Sequence, residues 1–356
     1  MSKFLASQWQ VLTPYTPGEQ PQDRAYIKLN TNEAPFAPAP EVIAAVSSSV
    51  MENLRLYPDP ECGMLRDALA SQHGLARGNV FVANGSDDIL NFLFKAYAAN
   101  GGKAYFPDVT YGFYKVFAAL HGADWQEVPV RDNFTIDWRD YFGKDGLIVL
   151  ANPNAPTGAY LAQSDIKRIV GGHPGSIVVV DEAYIDFGGA SCVPLVRRYD
   201  NLVVVQTFSK SRAMAGARLG VAFAQEALIR DLELFKYVTN PYAINLMTMK
   251  AGLAAISAAP YYAAQCRAIA RTREETAAQL TDKGFQVLPS MANFLFLSHP
   301  AVSGKDLYLK LKAQGILVRH FDAPRTRNHI RVTIGTDKQM AAFIEAAAAI
   351  AGGDDV

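Results

Sequence analysis

Three apolar runs that do not alternate restrict the fold most: Leu147-Ile148-Val149-Leu150, Ile177-Val178-Val179-Val180 and Leu202-Val203-Val204-Val205. A strand with one wet face alternates apolar and polar residues, whereas a strand covered on both faces by helices does not. Helical segments stand between the runs: NGSDDILNFLFKAYA follows Phe81–Val82, TYGFYKVFAALHG follows Lys103–Phe106, and SDIKRIVGG separates the first two apolar runs. Strand, helix, strand in this order implies a mainly parallel sheet with right-handed crossovers. After a long helical stretch from about Ala243 to Lys283 the texture changes. FQVLPSMANFLFLS, GILVRHF and HIRVTIG are strand candidates, with helices at GKDLYLKLKAQ and KQMAAFIEAAAAI. The first forty residues, rich in proline and polar groups, read as an arm with little regular structure, and EVIAAVSSSVMENL after Pro40 has helical spacing. The expected class is α/β, a large domain with a mainly parallel sheet flanked by helices plus a smaller α+β domain. Residues 1–44 form an arm that joins the small domain, 45–260 the large domain and 261–356 the small one.

Composition narrows the function. Thirty-four basic residues balance thirty-four acidic ones, so no charge excess drives the chain onto nucleic acid or an anionic membrane surface. No stretch reaches the roughly 18 apolar residues that span a bilayer, and MSKFLASQWQ lacks the apolar run of a secretory leader. Cys62, Cys192 and Cys266 stand far apart and form neither a disulfide framework nor a C-x-x-C pair, and the histidines give no H-x-x-x-H spacing. The expectation is a metal-free protein of a reducing cytoplasm with small-molecule ligands.

In a parallel α/β sheet, ligands bind beyond the carboxyl ends of the strands. Four informative stretches fall there: Asn84-Gly85-Ser86-Asp87, Asn152 to Gly158, Asp181-Glu182-Ala183-Tyr184 and Thr207-Phe208-Ser209-Lys210. Lys210 follows LVVVQTF, so its amine is partly desolvated, which lowers its pKa and makes it a nucleophile toward carbonyls. A lysine at a strand end is more often an ordinary surface group; the neighbours change the reading here. Thr207, Ser209, Arg218 and the small pair Ala215-Gly216 offer hydroxyls, a guanidinium and approachable backbone, which together make a phosphate cradle. Gly85-Ser86-Asp87 opens a helix whose amides and dipole favour an anion, although alone it is merely a helix cap. Asp181 ends an apolar strand, where a bare carboxylate is costly unless it meets a cation. Tyr111, in the run YGFY, is either core or a flat plate. A lysine for an imine, a phosphate cradle, an aromatic plate and a carboxylate for a protonated pyridine nitrogen together describe a pyridoxal 5′-phosphate site.

At these residues the chain resembles the fold-type-I pyridoxal-phosphate aminotransferases, and within them the histidinol-phosphate aminotransferase family, over nearly its whole length. S-K-x-x-x-x-A-G-x-R-x-G appears as Ser209-Lys210 through Ala215-Gly216, Arg218 and Gly220, and D-E-A-Y as Asp181 to Tyr184. The arm motifs are Pro14-Tyr15-Thr16-Pro17-Gly18 and Leu29-Asn30-Thr31-Asn32-Glu33-Ala34-Pro35, and Y-P-D is Tyr57-Pro58-Asp59. The resemblance implies that Lys210 carries the cofactor as an imine and moves the proton, that Asp181 holds the pyridine N–H, that Tyr184 bonds the ring oxygen and that Tyr111 stacks on the ring. It assigns the phosphate to Gly85, Ser86, Thr207, Ser209 and Arg218, with Tyr57 arriving from the other subunit of a homodimer, and counts Asp87 among the cofactor-binding residues. It assigns the substrate, an amino donor or 2-oxo acid, to Tyr15, Asn32, Arg319 and Arg331. One departure is visible: the family's N-N-P-T-G, whose second asparagine bonds the ring oxygen, has Ala155 at that position. Asn154 or Asn152 then takes over, Asn154 being favoured, or Tyr184 acts alone. The implied reaction is transfer of the amino group of histidinol phosphate to 2-oxoglutarate. The alternatives that share the cofactor motifs are a threonine-phosphate decarboxylase-like lyase and an aminotransferase for another, aromatic, amino acid. A cofactor-binding gene regulator would need a DNA-binding domain, which the short arm cannot supply.

Overall fold

The computed structural model describes residues 4–6, 9–10, 12–46 and 48–353. β1 (Ile27–Lys28) lies in the arm, and α1 (Pro40–Ala45) and α2 (Ser48–Glu52) follow, so the one helix expected after Pro40 is two short ones. α3 (Gly63–His73) leads into an alternating region of β2 (Val80–Ala83), α4 (Ser86–Tyr97), β3 (Lys103–Pro107), α5 (Phe113–Leu120) and β4 (Asp124–Val128). It continues with β5 (Leu147–Ala151), α6 (Gln163–Gly172), β6 (Ile177–Asp181), β7 (Leu202–Thr207) and β8 (Gly220–Phe223). These strands form one seven-stranded sheet in the order β2-β8-β7-β6-β5-β3-β4, parallel except at β8, which runs antiparallel to both neighbours.

The apolar runs take the central strands for the expected reason. Successive side chains alternate between two cores: Ile148, Leu150, Val178, Val180 and Val204 enter one, and Val149, Val179, Val203 and Val205 the other. α3, α6 and the helix over Leu246–Ser257 cover the first core, and α4, α5 and the helix over Glu226–Thr239 the second. The stretch expected as one long helix is α8 (Leu246–Ser257) and α9 (Ala259–Asp282), preceded by α7 (Glu226–Thr239). Pro260, in the first turn of α9, has no N–H to continue the preceding helix.

The remaining elements are β9 (Gln286–Val287), β10 (Phe294–Ser298), α10 (Gly304–Ala313), β11 (Ile316–Leu317), β12 (Arg319–His320), β13 (Ile330–Thr333) and α11 (Asp337–Gly352). β12-β13-β10-β9 form an antiparallel sheet, while β11 pairs in parallel with β1 of the arm. GILVRHF thus serves two sheets, split at Val318. A third core joins arm residue Leu29 to α9, β10, β13 and α11, and reaches Tyr184 beside the large sheet. The boundary expected at residue 261 lies inside the first turn of α9, whose Tyr262 packs in the first core and whose Cys266 and Ile269 pack in the third. Across the cleft between the two sheets, Arg325 donates to the Asp108 carboxylate at 2.7 Å and to the Val130 and Arg131 carbonyls. That contact ties the β12–β13 loop to the end of β3.

Candidate active site

Two adjoining cavities open beyond the carboxyl ends of β2, β3, β5, β6 and β7, and Lys210 and Tyr184 line both. The deeper one, about 140 Å³, also meets Ser86, Asp181, Thr207, Ser209 and Arg218. Its floor depends on close backbone approach. A Cβ on Gly220 would overlap the Gly85 carbonyl carbon and the Ser86 amide nitrogen, and one on Gly85, at φ +87°, would come within 2.6 Å of the Arg218 guanidinium. Glycine is therefore required at both places, which lets β8 and Arg218 close on the N-terminus of α4. Arg218 donates to Asp87 at 3.1 Å, and Asp87 also accepts from the Tyr111 hydroxyl at 2.9 Å. The Thr207 and Ser209 hydroxyls lie 3.0 Å apart.

Asp181 ends β6 and is 5% exposed. It accepts from the Tyr114 hydroxyl at 2.8 Å and from the Ala183 amide at 3.2 Å, and among the described residues no cation pairs with it. Burial pushes its pKa up to about 6 against these two bonds. Lys210 donates to the Thr31 carbonyl at 3.1 Å. Its pKa is brought down to about 8, chiefly by burial and then by the Arg331 charge.

The outer cavity, about 340 Å³, is walled by the arm and by β12 and β13. Arg331 donates to the Asn30 carbonyl at 2.9 Å and stands over the rings of Phe294 and Phe321 at 5.3 and 5.6 Å. Its buried Nε has no partner among the described residues, so the fork keeps donors for an anion. Arg319 donates to the Thr16 and Pro17 carbonyls at 2.8 and 2.9 Å and so holds the arm at the cavity's edge. Tyr15 stacks on Phe113 at 4.2 Å and meets Tyr111 edge-on.

The structure thus brings together every residue assigned to the site from the sequence except three. Asn154 is 1% exposed, and its amide is spent on the Val109 carbonyl and the Thr110 and Thr157 hydroxyls. Asn152 is likewise spent on the backbone of Leu161. Neither replaces the missing asparagine, and Ala155 lines both cavities. Tyr57 lies on the surface, 83% exposed and stacked on Tyr242 at 4.6 Å, and lines neither cavity of its own chain. Asn32, expected to meet the substrate, donates to the Tyr184 hydroxyl at 2.9 Å. The sequence reading gave Tyr114 no role of its own; its three-residue spacing from Tyr111 at the start of α5 was the available signal.

The residues suit pyridoxal phosphate. A buried carboxylate without a cation fits a pyridinium, a glycine-floored turn with hydroxyls and an arginine fits a phosphate, and a buried amine of lowered pKa fits an aldehyde. The model for aminotransferase class I and II matches residues 24–346, and the chain belongs to that family, as its motifs implied. The chain is 46% identical to the histidinol-phosphate aminotransferase of Brachyspira hyodysenteriae (strain ATCC 49526 / WA1), over 97% of this chain and 98% of that one. It is also 46% identical to that of Marinomonas sp. (strain MWYL1), over 97% and 99%. In fold it is similar to histidinol-phosphate aminotransferase from Sinorhizobium meliloti in complex with pyridoxal-5′-phosphate, with TM-score 0.90 and 23% identity over 99% of each chain. The expected α/β fold with its mostly parallel sheet is the observed one.

Proposed function

We propose that this chain is a pyridoxal 5′-phosphate-dependent aminotransferase that interconverts histidinol phosphate and 2-oxoglutarate with imidazole-acetol phosphate and glutamate, a step of histidine biosynthesis. The observation that carries this reading is a shared wall. Lys210 and Tyr184 stand between an anion cradle with an unpaired buried carboxylate and a second cavity with an unsatisfied arginine fork. The names of the 46%-identical relatives support the substrate.

When bound, the cofactor supplies an aldehyde that takes up the amino group and a pyridinium that withdraws electrons. Gly85, Ser86, Thr207, Ser209 and Arg218 hold its phosphate, with Asp87 keeping Arg218 in place. Asp181 accepts the ring N–H, Tyr114 orients that carboxylate, and Tyr111 offers a ring face. Lys210 Nζ, with its pKa near 8, is a base that can take a proton and return it close to neutrality. Arg331 and Arg319 bind the anionic end of the substrate, because an arginine fork matches phosphate and carboxylate oxygens alike. Tyr15 closes the arm side against water.

Support for a homodimer with shared sites comes from Tyr57 and its surroundings. Met51, Leu54, Leu56 and Met64, close to it in sequence, and Leu234 and Val238 on α7, whose Lys236 bonds Pro60, are exposed apolar side chains, and an apolar surface of that kind suits a second copy of the chain. Among the described residues no helix is long and apolar enough to cross a membrane. The three buried free thiols suit a reducing cytoplasm.

The test is to mix the loaded protein with histidinol phosphate and 2-oxoglutarate and measure glutamate. Dephosphorylated histidinol should be poorer by about 5- to 150-fold in kcat/KM, the cost of leaving a buried charged group unpaired. Equal activity on both would overturn the substrate, and release of carbon dioxide from threonine phosphate would make the protein a lyase.

A further inference from the structure

Asn32 sits where the arm passes the shared wall, 2% exposed, with φ +56°. A left-handed backbone at a non-glycine residue is sparsely populated and persists only where the surroundings over-determine it. Here they do. The Asn32 amide N–H donates to the Thr333 hydroxyl at 3.0 Å, and that hydroxyl donates to the Asn32 side-chain oxygen at 3.0 Å. The Asn32 carbonyl accepts from the Asn293 side chain at 3.1 Å, and Asn293 is fully buried. Three contacts around one residue leave its amide NH2 a single direction, toward the Tyr184 hydroxyl oxygen at 2.9 Å. A hydroxyl that accepts from one side has its own proton free for another acceptor. On its cofactor side the wall offers no competing side-chain donor from the β5 turn, because Ala155 stands there and Asn152 and Asn154 are spent.

We infer that Asn32 is a positioning residue that acts through Tyr184, turning the phenolic proton into the inner cavity so that it donates to the ring oxygen of the bound cofactor. The inference rests on the pyridoxal-phosphate reading above. It reassigns Asn32 from direct substrate contact to control of one hydroxyl, with Thr333 and Asn293 holding it in place.

The test uses the loaded protein and reads the absorbance of its cofactor against pH, not turnover. Asn32→Gly removes the amide while glycine adopts the same φ without strain. Arg331, Asp181 and Asp87, the charges that act on Tyr184, stay in place. Losing one hydrogen bond to the ionised chromophore should raise its apparent pKa by roughly 0.5 to 1 unit. The same substitution in a Tyr184→Phe background should move it by less than about 0.3 unit, since the partner through which Asn32 acts is gone. Should the glycine variant fold poorly, Asn32→Asp keeps the size and the Thr333 contact but forces Tyr184 to donate back toward the arm. The charge it adds acts in both backgrounds and cancels in the cycle. An unchanged titration in Asn32→Gly, or an equal shift with and without Tyr184, would overturn the inference. A wild-type protein that binds no pyridoxal phosphate would instead overturn the cofactor reading.

Discussion

Asp181 and Glu182 are consecutive and both buried, yet they serve opposite sides of the sheet. Asp181 looks into the cofactor cavity, whereas Glu182 accepts from the Ser191 hydroxyl at 2.6 Å, the Gln206 amide at 2.9 Å and the Cys192 backbone N–H. Burial pushes their pKa values up to about 6 and about 7. A raised carboxyl favours folding in its neutral form, so its contribution is full below about pH 4 and is lost as pH rises through 6 to 7. Each shift is on the order of 3 kcal/mol. In the cofactor-free protein, Asp181→Asn and Glu182→Gln should therefore raise the melting temperature at pH 8 and change it little at pH 4, measured by thermal unfolding at both. With cofactor bound, the sign at Asp181 reverses. The pyridinium partner makes Asp181→Asn a broken buried pair costing about 3–5 kcal/mol, read as slower transamination, while cofactor retention suffers less because the phosphate cradle survives. Lys210→Ala should lower kcat by at least roughly 10²–10⁴-fold through loss of the proton carrier, and borohydride should attach the cofactor to Lys210 and to no other lysine in a peptide map. Lys210 and Asp181 were legible because a charged residue ending an apolar strand is locally anomalous. Tyr114 was not, and Asn32 was named for the substrate and not for its contact with Tyr184, because their partners Asp181 and Tyr184 lie 67 and 152 residues away in sequence.

Elements were legible where burial on both faces leaves a compositional mark. β5, β6 and β7 announced themselves as apolar runs, while β4 did not, because it is an edge strand whose residues Asp124, Trp125 and Gln126 are exposed. β8 was not read as a strand: its first residue, Gly220, entered only as the last glycine of the lysine motif, whereas it closes on the Gly85-Ser86 turn and also pairs with Thr207 on one side and Ala83 on the other. This double duty makes the strand sensitive. A Cβ at position 220 meets backbone atoms of Gly85 and Ser86, not the far end of a flexible side chain, so the turn itself must move. Overpacking of this kind typically costs about 1–3 kcal/mol. Gly220→Ala should weaken cofactor binding by about 5-fold or more, measured by titrating the cofactor's absorbance into the cofactor-free variant. Gly175→Ala, between α6 and β6 and away from both cavities, where a Cβ meets nothing within 4 Å, is the matched control and should bind as the parent does.

At the scale of the whole molecule, the sequence implied two units joined by an arm, and the contact between the two sheets was not legible in it, since Arg325 and its partner Asp108 are 217 residues apart and neither lies in a motif. Tyr57 poses the complementary problem, a motif residue with no task in its own chain. It is exposed and stacked on Tyr242, and its loop is pinned from below: Lys236 donates to the Pro60 carbonyl at 2.5 Å, and Asp59 accepts from the Gly63 amide at 2.8 Å. A rigid loop that presents one aromatic hydroxyl to solvent is suited to completing a site on another subunit. In a two-fold dimer each site would then take Lys210 from one chain and Tyr57 from its partner. A Tyr57→Ala chain supplies a good Lys210 and a Lys210→Ala chain a good Tyr57, so their hybrid contains one intact site and one doubly impaired site. Random exchange of equal amounts makes half the dimers hybrid and restores about a quarter of the parent's sites. Mixing the two impaired variants should thus raise glutamate formation toward that fraction as exchange proceeds, at a rate set by subunit dissociation and independent of substrate. Exchange demonstrated by mass without recovery of activity would confine each site to one chain and leave Tyr57 a surface residue.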